Sequence, residues 1–304
     1  MNAMKKCRAL LWCVFLLFAA TSAEAAESRV IVSIKPLHSL VSAIMAGTGT
    51  PELLVGGMQS PHGYQLKPSQ VEALHHAAVV FYIGPDLETF LARPLETVSA
   101  SVRRVALVDA PGVAILQTRS GGAWEPDEES GDPARDPHIW LDTGNAKAMT
   151  RKIAGILKEL YPENAAVYDA NEAALVARLD KLKAELDAQL EPVKGKPFIV
   201  FHDAYQYFEH DYGLAGAGAI TLEPDQEPGA RRISEIRGKI KSADVRCVFA
   251  EPQFNEHLVQ TVTEGLAVKA GVLDPLGADI PEGPELYFTL LRKMAGHFKA
   301  CLGS

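Results

Sequence analysis

Residues Glu163–Glu191, ENAAVYDANEAALVARLDKLKAELDAQLE, form the longest uninterrupted helical run in the chain. Val167, Ala174, Leu175, Leu179, Leu182, Leu186 and Leu190 recur at helical spacing and trace one apolar face, with no glycine or proline between them. On both sides of this run, short apolar segments alternate with helical ones. Upstream, strands are expected at Arg29–Ser33, Glu52–Val55, Ala78–Ile83 and Val105–Val108, and helices at Leu37–Ala46, Ser69–His76, Leu87–Leu91 and Asn145–Tyr161. Lys35-Pro36 reads as a turn, and Ser69 as the N-cap after Pro68. Downstream, strands are expected at Pro197–Phe201 and Val245–Ala250. Helices are expected at Asp203–His210, Arg232–Lys241, Asn255–Ala270 and Glu285–Ala300. Near-continuous apolar strands alternating with helices indicate parallel sheets covered on both faces. The expected fold is therefore α/β, with an N-terminal lobe over 26–162, a linking helix over 163–191 and a C-terminal lobe over 192–304.

The composition agrees with a folded globular protein: 304 residues, 47% hydrophobic and 22% charged. A formal net charge of −8 argues against a nucleic-acid partner, whose affinity would come from clustered basic side chains. The first residues read as an address. Lys5, Lys6 and Arg8 precede the apolar run Ala9–Ala20, which is followed by small residues ending in Ala23-Glu24-Ala25. Such a run is shorter than the ~20 residues needed to span a bilayer. It has the order of a secretory signal peptide over 1–25, cleaved near Ala25, which predicts an exported, soluble protein. Of the four cysteines, Cys7 and Cys13 would leave with that segment. In an oxidising compartment the remaining pair, Cys247 and Cys301, most simply forms one disulfide, worth about 4 kcal/mol on a chain-entropy argument. A thiolate metal site is the alternative, and it suits two distant cysteines poorly.

Between Gln117 and Arg135 the alternation breaks. Gly121, Gly122, Gly131, Pro126 and Pro133 mix with Glu125, Asp127, Glu128, Glu129 and Asp132, which predicts a mobile acidic loop. Three of the nine histidines stand at or near strand or loop ends, where α/β folds place ligand groups. They are His62 in SPHGY, His138 in DPHIWLD and His202 in VFHDAY. Imidazoles suit Zn2+, and three of them plus an oxygen or water complete a tetrahedron. Asp274, in VLDPLG, is a candidate for the fourth position. Asp142, Asp203 and Glu251 are candidates for orienting the imidazoles through their second nitrogens. Trp140 and Tyr205 read as packing residues walling the cleft, and His38 as a group that could approach it. His75, His76, His210, His257 and His297 read as surface or capping residues.

Six blocks carry a resemblance. They are SPHGYQLKPSQ (Ser60–Gln70), VFYIGPDLETFL (Val80–Leu91), DPHIWLD (Asp136–Asp142), FHDAYQYFEHDYGL (Phe201–Leu214), VFAEPQF (Val248–Phe254) and VLDPLG (Val272–Gly277). Together, and in this order, they resemble the zinc-specific, ZnuA-type solute-binding proteins of bacterial ABC importers. The resemblance implies two Rossmann-like lobes joined by a long helix, with the metal in the cleft. It also implies His62, His138 and His202 as zinc ligands and a Cys247–Cys301 disulfide. The protein would reside in the periplasm, and its partners would be a membrane permease and its ATPase; a monomer is expected. Manganese-binding relatives carry Glu at the third ligand position and Asp at the fourth. His202 therefore favours zinc, while Asp274 matches the manganese pattern and keeps a manganese or iron carrier as the alternative. Pro61 stands where some zinc members have a ligand glutamate. The 117–135 loop lacks the histidines that zinc members commonly carry there. A zinc hydrolase is the remaining alternative, and no G-x-S-x-G or H-E-x-x-H signature supports it.

Overall fold

The computed structural model describes residues 29–119, 134–222, 224 and 227–303. The expected signal peptide over 1–25 and the acidic part of the expected loop lie outside the described residues.

The first half holds β1 (Arg29–Ile34), α1 (Lys35–Ile44), β2 (Glu52–Val55), α2 (Pro68–His75), β3 (Ala77–Tyr82), α3 (Ala92–Thr97), β4 (Arg103–Ala106) and α4 (Thr143–Leu160). The long helix α5 (Ala165–Leu190) follows. The second half holds β5 (Pro197–His202), α6 (Gln206–Tyr212), β6 (Ala215–Thr221), α7 (Ala230–Ser242), β7 (Cys247–Ala250), α8 (His257–Thr263), β8 (Lys269–Val272) and α9 (Leu286–Leu302). Each half builds a four-stranded sheet, in the orders β2-β1-β3-β4 and β6-β5-β7-β8. All strand pairs are parallel. Counted within its own half, each sheet has the order 2-1-3-4, so one topology is used twice without a repeat in sequence. This order reverses direction between the first and third strands, where open α/β sheets leave a ligand crevice at the carboxyl ends.

Burial explains the strand composition. In β1 every residue after Arg29 is buried, as a strand covered on both faces requires. The larger hydrophobic cluster runs through both halves, joining Leu40, Leu157, Leu182, Phe198 and Leu291. Helix α5 buries Tyr168, Leu175, Leu179, Leu182, Leu186 and Leu190. Its N-terminal face is turned from the expected one: Val167 is 40% exposed and Ala174 is exposed, because the larger Tyr168 takes the inward position. The disulfide Cys247–Cys301 joins β7 to α9.

Several expected boundaries move for identifiable reasons. Helix α1 begins at Lys35, not after a turn, because Pro36 fits the first helical turn, where an amide hydrogen has no intrahelical partner. Likewise α2 takes Pro68 into its first turn, so Lys67 rather than Ser69 is the N-cap, and the Gln70 side chain accepts the Lys67 amide hydrogen at 2.9 Å. The expected 255–270 helix stops at Thr263 and the chain turns at Gly265, in the left-handed region at φ 68°; Lys269–Val272 is then free to form β8. Strand β6, AGAGAIT, was not expected, because glycine and alanine carry no strand signal of their own. The segment expected as a helix at Leu87–Leu91 is a 3-10 turn at Thr89–Leu91 running into α3.

Candidate metal centre

The three histidines expected to act together are brought together. His62 lies on the loop after β2, His138 just ahead of the 3-10 turn Ile139–Leu141, and His202 at the last position of β5. One nitrogen from each lies within 4.8 Å of the others. Their ring centroids are separated by 5.5, 5.5 and 5.2 Å. His138 and His202 are buried and His62 is half-buried at the mouth. Ser60, Trp140, Glu251, Phe254 and Leu276 line the same small pocket.

Each buried ring is held by a carboxylate. His138 Nδ1 donates to Asp136 Oδ1 at 2.8 Å, and the same oxygen accepts the His138 backbone amide at 2.9 Å. His202 Nδ1 donates to Glu251 Oε1 at 2.7 Å. With the carboxylates ionised they only accept, and in that state both contacts select the Nδ1–H tautomer and leave Nε2 bare. The two bare nitrogens lie 3.3 Å apart. Two lone pairs facing across that distance repel each other unless a cation sits between or beside them, and neutral imidazoles so arranged form a metal-ready pair.

Electrostatics act differently on the three rings. Burial, with the neighbouring rings, holds His62 and His138 well below the ordinary imidazole range. At His202 burial acts in the same direction, but the charge and hydrogen bond of Glu251 outweigh it and raise the ring. Burial pushes the Asp136 carboxyl up to about 7 against the His138 amide and the charge of Arg119. Its second oxygen, Oδ2, is buried and has no hydrogen-bond partner.

Of the three carboxylates expected to orient imidazoles, only Glu251 does so. Asp142 instead caps α4, accepting the Asn145 amide at 2.7 Å. Asp203 is taken by Arg119, which also bonds Glu209 at 2.6 Å. Sequence reasoning missed Asp136, although its place two residues before His138 in DPH is a local signal that was available.

Asp274, the expected candidate for the fourth position, is engaged by its own loop. Its Oδ1 accepts from the backbone amides of Leu276 and Gly277 and from Gln253 Nε2, and its Oδ2 accepts from the Ala278 amide. Four donors hold it as the cap of its own loop, outside the three-histidine group. His38 is likewise elsewhere, bonding the Pro51 carbonyl through Nε2 at 3.1 Å. Trp140 stacks obliquely 5.3 Å from His138, and Tyr205 is buried 6.5 Å from His202. His75, His76, His210, His257 and His297 are exposed.

The family model for the periplasmic component A of zinc-uptake complexes, ZnuA, matches residues 30–301. The chain belongs to the ZnuA family. A relative in Brucella abortus, the high-affinity zinc uptake system protein ZnuA, is 46% identical, covering 94% of this chain and 95% of its own. A crystal structure of ZnuA superposes with a TM-score of 0.78 at 29% identity, covering 90% of this chain and 99% of that one. The solute-binding protein FpvC of Pseudomonas aeruginosa, solved with Mn2+, has a TM-score of 0.79 at 20% identity over 91% of this chain and 98% of its own. At that identity the likeness extends to the fold alone. The fold shared with ZnuA therefore does not discriminate between metals, and that question passes to the side chains.

Proposed function

We propose that His62, His138 and His202 bind one Zn2+ directly, and that the chain captures the ion and hands it to a membrane permease. As a ZnuA-family member it is a periplasmic zinc-binding component of a zinc uptake system and not an enzyme. Zinc uptake of this ABC type implies a permease and an ATPase as partners. The observation that carries the residue assignment is the convergence of three imidazole nitrogens within 4.8 Å, two of them buried and fixed by carboxylates. Three nitrogen donors with an open fourth position suit tetrahedral zinc, whereas manganese prefers oxygen-rich sets of higher coordination number. Among the described residues the group that converges is three imidazoles and no carboxylate, and Asp274 is occupied by its own loop. The reading further takes 26–162 and 192–304 as the lobes about the 163–191 helix, the signal peptide as cleaved near Ala25, and the carrier as a monomer.

The test is calorimetric. Residues 26–304, stripped with chelator, are titrated with Zn2+ and Mn2+, alongside His62→Ala, His138→Ala and His202→Ala. One tight zinc equivalent, much weaker manganese and a loss in each variant are expected. Preference for manganese, or indifference to His202, would overturn the assignment.

A further inference from the structure

Lys35 is among the most buried charged side chains in the molecule, at 4% exposure, and none of its hydrogen bonds goes to a carboxylate. Lysine is almost never buried so completely without a partner of opposite charge in contact. Its Nζ donates instead to three backbone carbonyls, those of Gly277 (2.7 Å), Ala278 (3.0 Å) and Ile280 (2.7 Å). A neutral amine has only two N–H groups, so three acceptors call for the ammonium form. Glu282, Asp274 and Asp279 supply the surrounding negative charge. Lys35 opens α1 at the carboxyl end of β1, an interior strand of the first half's sheet, whereas its three acceptors follow β8 in the second half.

The segment it grips is built around two opposite charges. From inside, the Asp274 carboxylate collects the amide hydrogens of Leu276, Gly277 and Ala278; from the other half, the Lys35 ammonium collects the carbonyls. A second tie runs from Trp140 Nε1 to the Pro275 carbonyl at 2.8 Å. Pro275 and Leu276, between these anchors, form part of the wall around the three histidines.

We propose that Lys35 is a positioning residue for the metal pocket: it pins the 274–280 segment of the second half to the first, keeping Pro275 and Leu276 over the cluster so that bound metal leaves slowly. The proposal rests on the zinc-ligand reading above. Escape of the ion requires water to reach the Nε2 atoms and replace them one at a time, and a wall held at both ends keeps that water out. The histidines themselves are untouched by the pin, so its loss acts on departure more than on capture.

Zinc release from the loaded chain to an excess of chromogenic chelator, followed by stopped flow, tests this. Lys35→Met keeps the stem and removes every donor; Lys35→Gln keeps two N–H groups. Ile236→Ala, in the separate core cluster of the second half, serves as a comparator for general loss of stability. Lys35→Met should release zinc about 10–100-fold faster, the range for groups supporting a metal site from outside its ligands. Its association rate should stay within about threefold of wild type, and Lys35→Gln should fall between the two. The comparator should release at the wild-type rate even where its melting temperature falls as far. Slow release by wild type and an equal rate in Lys35→Met would overturn the pin alone; if Lys35→Met does not fold, an unchanged rate in Lys35→Gln does the same. A wild-type chain that holds no zinc would overturn the ligand reading and the pin with it.

Discussion

An imidazole binds metal through a lone pair, and in the two buried rings the position of that lone pair is set by a carboxylate. Asp136 and Glu251 each take the Nδ1 hydrogen of one buried ring. Asp136→Ala should therefore weaken zinc binding by about 10–100-fold, read by competition with a chelator of known affinity, because His138 keeps its place but loses its fixed orientation. A different buried carboxyl controls stability against pH. Glu88 accepts from the Ser33 hydroxyl and the Ile83 and Gly84 amides, yet burial prevails and pushes it up to about 7 from 4.5. The folded state then favours the protonated form. That contribution is complete below pH 4.5 and is lost as pH rises through about 7. Urea unfolding of wild type should lose stability relative to Glu88→Gln over this window, by up to about 1.4 kcal/mol per pH unit at the steepest point. A flat difference between the two curves would mean that Glu88 stays ionised.

At the scale of elements, the antiparallel bridge Gln117–Arg135 brings the segment before the acidic loop beside the segment that leads to His138. Arg119 ties this pair to the second half by bonding Asp203, next to His202, and Glu209 on α6. Tyr207 adds bonds to the Leu116 amide and the Asp136 carbonyl. Removing the guanidinium leaves two neighbouring, largely buried carboxylates without their counter-charge. Arg119→Gln should accordingly cost about 3–5 kcal/mol in chemical denaturation. On α5, Leu182 is fully buried in the cluster shared by both halves. Leu182→Ala should cost about 2–5 kcal/mol, and a value near zero would mean that the helix is not the spine of the core.

For the whole molecule, the proposed ligands come from segments far apart in the chain, so metal binding at them would be linked to folding. His62 and His138 belong to the first half and His202 to the second, so only the assembled fold presents the site. Zinc at about 1,000 times its dissociation constant should add about 4 kcal/mol of stability, and chelation should remove it, as a fall in melting temperature measured by scanning calorimetry. Reducing Cys247–Cys301 should lower stability separately, since the bridge closes a loop of 54 residues far from the histidines in role.

What the sequence determined by itself was local. Apolar strands alternating with helices, the long α5 run and the histidines standing at strand and loop ends are all readable because periodicity and turn chemistry act over a few residues. Even Asp136 lay within reach of such reading, two positions from His138. The tertiary structure alone decided which polar group meets which. Glu251 reaches His202 across 49 positions because β7 lies beside β5, and Asp142 and Asp203 turn to nearer donors. Asp274 caps its own loop because the backbone amides of Leu276, Gly277 and Ala278 turn toward it. Lys35 meets carbonyls 242 to 245 residues away because the fold brings the end of β1 against the segment that follows β8. A buried polar atom must find a partner, and strand order and lobe packing determine which partner is in reach.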